Sequence, residues 1–202
     1  MLRIKLFIGF VLAMIIAGTS FAQVVSNQAA PNFTLTDSNG QKHSLSDYKG
    51  KFVVLEWFNP DCPFVKKHYN SGNIPNLQKQ YTSKGVIWLA IDSSAAGKEG
   101  NYPPQGLNKY MTDKKAAPTA IFADADGKIG RLYGAQTTPH MFIINPQGVL
   151  IYQGAIDDTP SAEIEDLKTA KNYVSAVLDA AMNGKPVAVN TTKSYGCSIK
   201  YQ

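Results

Sequence analysis

Apolar residues along the 202-residue chain fall into short blocks separated by turn-forming clusters. Phe52 to Phe58 and Val86 to Ile91 are apolar on both faces and rich in β-branched and aromatic residues, as expected of strands covered on both sides. Thr119 to Phe122 predicts a shorter strand. Met141 to Ile144 and Val149 to Tyr152 flank Asn145-Pro146-Gln147-Gly148, a hairpin signal. A second hairpin is predicted where Phe33 and Leu35 alternate with polar neighbours and Asp37-Ser38-Asn39-Gly40 precedes His43-Ser44-Leu45.

Helical spacing fills the intervals. A helix is predicted after Cys62, broken at Ser71-Gly72-Asn73 and resumed at Pro75, with Leu77 and Tyr81 at i, i+4. Ser93 to Pro104 is loop by composition, Leu107 to Met111 is helical, and a helical turn follows Asp124-Ala125-Asp126-Gly127 through Arg131. Thr159-Pro160 reads as an N-cap plus first helical residue. Ile164, Leu167, Val174, Val177, Leu178 and Ala181 carry that helix to a stop at Asn183-Gly184. Alternating strands and helices, a closing hairpin and a final helix predict an α/β sandwich around a mixed sheet.

The ends of the chain change the picture. Arg3 and Lys5, the apolar run Leu6 to Ala17, and Ser20-Phe21-Ala22 form an export signal, residues 1–22, expected to be cleaved near Ala22. The run is short for a membrane span, so a membrane is expected to matter only through an uncleaved signal. Export places the chain in the periplasm or outside the cell. The formal charge of +5 falls to +3 without Arg3 and Lys5, and with no Lys/Arg run nothing argues for nucleic acid. Residues 23–186 suit one domain. Residues 187–202 read as a flexible polar tail carrying Cys197.

Chemistry concentrates at Leu55 to His68. An Asn59-Pro60-Asp61 turn ends the apolar strand, and Cys62-Pro63 opens a helix. Proline is favoured in a first helical turn, where no backbone donor is lost. Cys62 then sits at the N-cap, where free amides and the helix dipole favour an anion, and the thiolate is the reactive form. Lys66 and Lys67 add positive potential one turn on. Glu56, inside an apolar strand, is costly without a task or a partner. Burial would bring it into the general acid/base range, whereas a lysine at the sheet end would make it structural. The two cysteines, Cys62 and Cys197, allow one disulfide in an oxidising compartment, and no Cys/His set has zinc spacing.

The order of these parts resembles the thioredoxin superfamily and, within it, the redoxins of the alkyl hydroperoxide reductase/thiol-specific antioxidant group. The resemblance rests on Ala30 to Leu35, Leu45 to Lys51, the strand into Cys62, Thr137-Thr138-Pro139 and Phe142 to Gly148, and covers residues 29–183. It implies a three-layer sandwich with a mixed central sheet, an N-terminal hairpin extension, and a cis Thr138-Pro139 bond against the active sulfur. It also implies that Glu56, six residues before Cys62, handles the proton. The chain departs from the pattern at three points. Val65 replaces the second cysteine of thioredoxins, Asn59 stands where peroxiredoxins carry Thr or Ser, and no arginine lies near Thr138-Pro139 to clamp a peroxide. Arg131 fits a structural helix.

The resulting expectation is an exported thiol–disulfide oxidoreductase without cofactor or resident metal. Cys62 is its nucleophile, Cys197 its resolving partner or a structural disulfide mate, and Glu56 its proton relay. Asn59, Pro63, Thr138 and Pro139 shape the site, and the partner is a protein thiol or disulfide. One alternative is a thiol peroxidase acting on small peroxides as an antioxidant. Another is a non-enzymatic scaffold or copper-binding module using Cys62, Cys197 and His140. His68 is expected at the surface or as a cap, and Trp57 and Phe58 in the core.

Overall fold

A computed structural model describes residues 24–202. The expected export signal lies outside the described residues, and among them no helix is long and apolar enough to cross a membrane. A two-stranded hairpin, β1 (Thr34–Thr36) and β2 (Lys42–Ser44), precedes the main sheet. That sheet runs β5 (Ala120–Ala123), β4 (Ile87–Asp92), β3 (Val53–Trp57), β7 (His140–Ile144), β8 (Leu150–Gly154). β3 is parallel to β4 and antiparallel to β7, and β4 is parallel to β5. The sheet is therefore mixed, and flanking helices make it the expected thioredoxin-like sandwich.

β3 lies at the centre, and its alternation builds two cores. Val53, Leu55 and Trp57 join Leu89, Phe122, Tyr133 and Phe142 on one face. Val54, Phe58 and Cys62 join Val65, Tyr69, Trp88 and Leu178 on the other. Period-2 geometry produces this division, and each fully buried large apolar side chain contributes about 1.5–3 kcal/mol. Glu56 is drawn into the second core by the same alternation.

α1 (Pro63–Asn70) and α2 (Asn73–Thr82) are separated by Gly72 at φ +79°, a left-handed turn that suits glycine. α3 (Pro104–Asp113) and α4 (Lys128–Tyr133) follow the loops where the sequence predicts them. The last helix differs from expectation. α5 spans Tyr173–Met182 and is capped by Asn172, whose side chain accepts from the Ser175 amide, while Ile164–Lys168 forms only a 3₁₀ turn. Asp157 Oδ1 accepts from the Thr159 amide, and Asp157 bridges to Asn172, so the intervening chain closes as a loop. Ile164 stays exposed, and its helical spacing with Leu167 finds no core to face.

Residues 187–202 are not free. The Gln153 amide donates to Asn190 O and the Thr192 amide to Gln153 O, covering the outer edge of β8. Gly154 permits the approach, since a Cβ there would lie 2.2 Å from Thr192 Oγ1. The chain then enters β9 (Cys197–Ser198), antiparallel to β6 (Thr137–Thr138), with Cys197 opposite Thr138. Ile199 is buried, and Tyr201 donates to Ala135 O.

Candidate active site

The β3–α1 turn is built as the sequence suggests. Cys62 is the N-cap of α1 with extended backbone, and Pro63 occupies the first turn. Asn59 Oδ1 accepts from the Asp61 amide at 2.7 Å, and Asn59 Nδ2 donates to Glu99 O at 3.1 Å. Asn59 thus ties the cysteine turn to the loop after β4. That loop passes so close that a Cβ on Gly100 would lie 2.2 Å from Asn59 Oδ1. The two lysines of α1 are turned to other tasks. Lys66 lies 3.6 Å from Asp61, and Lys67 is buried and donates to Thr159 O at 3.3 Å.

Two chain segments cover Cys62. The Thr138-Pro139 bond is cis, and the Cys62 thiol donates to Thr138 O at 3.2 Å. Beside Thr138 runs β9, which brings Cys197 to the same place. Cys62 has no exposed surface, whereas Cys197 is partly exposed; both sulfurs are free thiols. Burial, followed by the hydrogen bond to Cys62 and its charge, pushes the Cys197 thiol up to about 12. The structure therefore brings together Cys62, Cys197, Pro63, Thr138 and Pro139, although the two cysteines are 135 positions apart in the sequence.

Glu56, on β3 ahead of the cysteine turn, is fully buried. Tyr69 donates to its Oε1 at 2.8 Å, while Trp88 Nε1 and Gln78 Nε2 donate to its Oε2 at 2.7 and 3.1 Å. Its partners are neutral donors, and among the described residues no lysine is paired with it. Burial outweighs these three bonds and raises the carboxyl to about 7. Tyr110 packs against Phe58 and Tyr69; its buried hydroxyl has no hydrogen-bond partner among the described residues, and it is pushed up first by burial and then by Glu56, with Cys62 the smallest contributor.

His68 overturns its expected place. It is fully buried, with Nδ1 2.8 Å from Asn73 Nδ2 and Nε2 3.2 Å from the Tyr195 hydroxyl. The covering by residues 187–202 buries this face of α1. Burial first, then the Lys67 charge, lower the imidazole to about 3, so its 3.9 Å approach to Asp157 is not an ion pair at neutral pH.

Other expectations resolve around the site. Trp57 and Phe58 are buried, and Trp57 Nε1 donates to Ser93 Oγ. Arg131 is structural, bonded to Asp126 O and Gln202 O and stacked 4.7 Å over Tyr201. His140 Nδ1 accepts from the Gln136 amide, and its ring packs 4.5 Å from Phe142. Among the described residues no three His, Cys, Asp or Glu side chains are gathered as a metal set.

The sequence reading missed Tyr195, Gly196 and Asp157, and a signal for the first two was present. Tyr195, Cys197, Ile199 and Tyr201 alternate, the period of a half-buried strand inside a segment read as tail.

Known proteins align with this arrangement. The family model for the AhpC/TSA family matches residues 26–153. Thiol-disulfide oxidoreductase ResA of Bacillus subtilis (strain 168) is 30% identical over 122 residues, 60% of this chain and 63% of the relative. The chain thus spans less than two thirds of that protein. The ResA of Bacillus thuringiensis subsp. konkukian is 32% identical over 140 residues, 69% of this chain and 75% of the relative. Among solved structures, an uncharacterized conserved protein from Geobacillus kaustophilus is similar with a TM-score of 0.74 and 27% identity, over 90% of this chain and 94% of that one. With the family match spanning more than half of its length, the chain belongs to the AhpC/TSA family.

Proposed function

We propose that this protein is an exported thiol–disulfide oxidoreductase whose redox pair is Cys62 and Cys197. The observation that carries the reading is the seating of Cys197 on β9 directly beside Thr138, whose carbonyl accepts from Cys62. A second cysteine three residues after the first would normally serve this role, and Val65 holds that position. Similarity to the ResA proteins, named thiol-disulfide oxidoreductases, supports the same activity.

In the reaction, β9 parts from β6 and exposes the Cys62 sulfur. The Cys62 thiolate attacks one sulfur of a partner disulfide, forming a mixed disulfide and releasing the partner's first thiolate. Cys197 then loses its proton and attacks the Cys62 sulfur. The Cys62–Cys197 disulfide forms and the partner leaves as its second thiolate. Glu56, raised to about 7, accepts the proton that Cys197 gives up. Pro63 starts the helix that holds Cys62, Asn59 fixes the turn, and Thr138-Pro139 walls the groove.

Peroxide reduction needs donors aimed at the developing oxyanion. Arg131 is engaged with Asp126, Gln202 and Tyr201, and the Asn59 amide with Glu99, which favours disulfide exchange over peroxide. The partner is accordingly a protein thiol or disulfide. Residues 1–22 direct it to the periplasm or outside the cell, where oxidising conditions suit a two-cysteine chain.

Reduction of a protein disulfide by the reduced enzyme tests the reading. Wild type is expected to turn over, and Cys62→Ser to fall to the background rate. Unchanged turnover in Cys62→Ser would overturn it. Hydrogen peroxide should consume the wild-type thiols no faster than a free thiol, and much faster consumption would move the assignment to a peroxidase.

A further inference from the structure

We infer that Tyr195 is a positioning residue for the redox pair, held through its hydroxyl by a part-buried hydrogen-bond chain from Asn73 through His68 to Asp157, so that Cys197 is presented to Cys62. The inference rests on the proposed Cys62–Cys197 pairing and adds the device that makes a distant cysteine act as a near one.

The hydrogen-bond directions are fixed by chemistry. Asn73 Nδ2 is a donor, so His68 Nδ1, 2.8 Å away, accepts and the imidazole proton sits on Nε2. Nε2 therefore donates to the Tyr195 oxygen at 3.2 Å, leaving the Tyr195 proton to go to Asp157 Oδ1 at 2.5 Å. A neutral imidazole is what the burial of His68 favours. Asp157 Oδ1 also accepts from the Thr159 amide, while its buried Oδ2 has no hydrogen-bond partner among the described residues. Asn73 begins α2, His68 lies on α1, and Asp157 follows β8, so one hydroxyl ties residues 187–202 to three elements. The Tyr195 ring adds contacts with Phe64, 5.9 Å between centroids, and with the Lys67 ammonium at 5.8 Å.

The next residue converts this anchor into a position for sulfur. Gly196 has φ +113°, and a Cβ on it would lie 2.1 Å from Thr138 O, the atom that accepts from Cys62. Only glycine lets the strand pass so close. Cys197 follows at once, opposite Thr138, with Thr138 Oγ1 3.5 Å from Cys197 O. Tyr195, Gly196 and Cys197 thus form an anchor, a close crossing and a reactive group. His68 sits on the helix that Cys62 caps, so both sulfurs are referenced to one element.

The test is the dithiol–disulfide equilibrium in reduced and oxidised glutathione. Cys62 thiolate attacks oxidised glutathione and releases one glutathione thiolate. Cys197 then attacks the Cys62 sulfur and releases the second, so two thiols are oxidised as one glutathione disulfide is reduced. Tyr195→Phe keeps the ring and deletes the hydroxyl. The expected result is an intramolecular equilibrium constant about tenfold lower, the effect of losing hydrogen bonds to a charged acceptor, with Cys62–glutathione mixed disulfide accumulating. Asp157→Asn, which keeps the shape of the acceptor, should shift the equilibrium in the same direction and serves if Tyr195→Phe does not fold. Equal equilibrium constants in wild type and variants, with the thermal midpoints of both redox forms lowered alike, would reduce Tyr195 to a packing residue and overturn the inference. If wild type itself forms no Cys62–Cys197 disulfide, the underlying pairing fails instead, and the two failures are told apart in the wild-type control.

Discussion

The two cysteines reach the same place by opposite routes. Cys62 is positioned by its neighbours in sequence, through a central strand, an Asx turn at Asn59 and a helix that Pro63 starts. Cys197 is positioned by residues far away in sequence, through a two-residue strand on Thr137–Thr138 and a Tyr195 anchored on His68 and Asp157. The first arrangement is sealed from solvent, and the second is partly exposed. On the proposed pairing, the nucleophile is kept under cover while the second sulfur is held by contacts remote in sequence.

The largest expected effect is the loss of disulfide exchange in Cys62→Ser, measured as turnover of a protein disulfide. Cys197→Ser should leave the first attack intact and block the second. A covalent partner–Cys62 adduct then accumulates on non-reducing gels, and turnover falls roughly tenfold or more, as intramolecular resolution is replaced by slow bimolecular exchange. Equal adduct levels in wild type would merge the two roles that the proposed mechanism separates.

Glu56 distinguishes the buried side of the comparison. Its folded value near 7 exceeds its ordinary value of 4.5. The folded state therefore binds the extra proton between these limits, and stability is lost as pH rises from about 4.5 through 7. The shift corresponds to roughly 3 kcal/mol, at about 1.4 kcal/mol per unit. Glu56→Gln should flatten that part of the stability–pH curve in urea titrations, because Tyr69 can reverse its hydroxyl and accept from the new amide. An unchanged slope would mean that another group, such as the buried Asp92, also raised to about 7, carries it.

Gly196→Ala probes the surface side with a smaller effect. The methyl group would meet a backbone carbonyl, and a left-handed φ strains alanine, so a loss of about 1–3 kcal/mol is expected from β9. Faster amide exchange confined to residues 195–199 would show it, whereas a uniform change across the sheet would not fit a detachable strand.

The difference between the regions also explains what the sequence revealed. The strands, the breaks at Gly72 and Asn145 to Gly148, and the Cys62-Pro63 turn are local decisions, and local residue types announce them. The Thr138-Pro139 geometry was legible through family resemblance, and the burial of Glu56 through its place in an apolar run. The helix expected from Pro160 starts instead at Tyr173, because Asp157 bridges to Asn172 and closes a loop that periodicity cannot register. His68 reads as a surface residue until residues 187–202 are laid over it. The anchoring of Tyr195 depends on three partners between 38 and 127 positions away, and no window of sequence contains them.

Mass mapping of the protein after exposure to oxidised glutathione and removal of excess reagent tests the pairing most directly. The expected product is one disulfide-linked peptide pair containing Cys62 and Cys197, which separates into two alkylatable peptides on reduction. Recovery of both cysteines as independent thiols or as separate glutathione adducts would contradict the account.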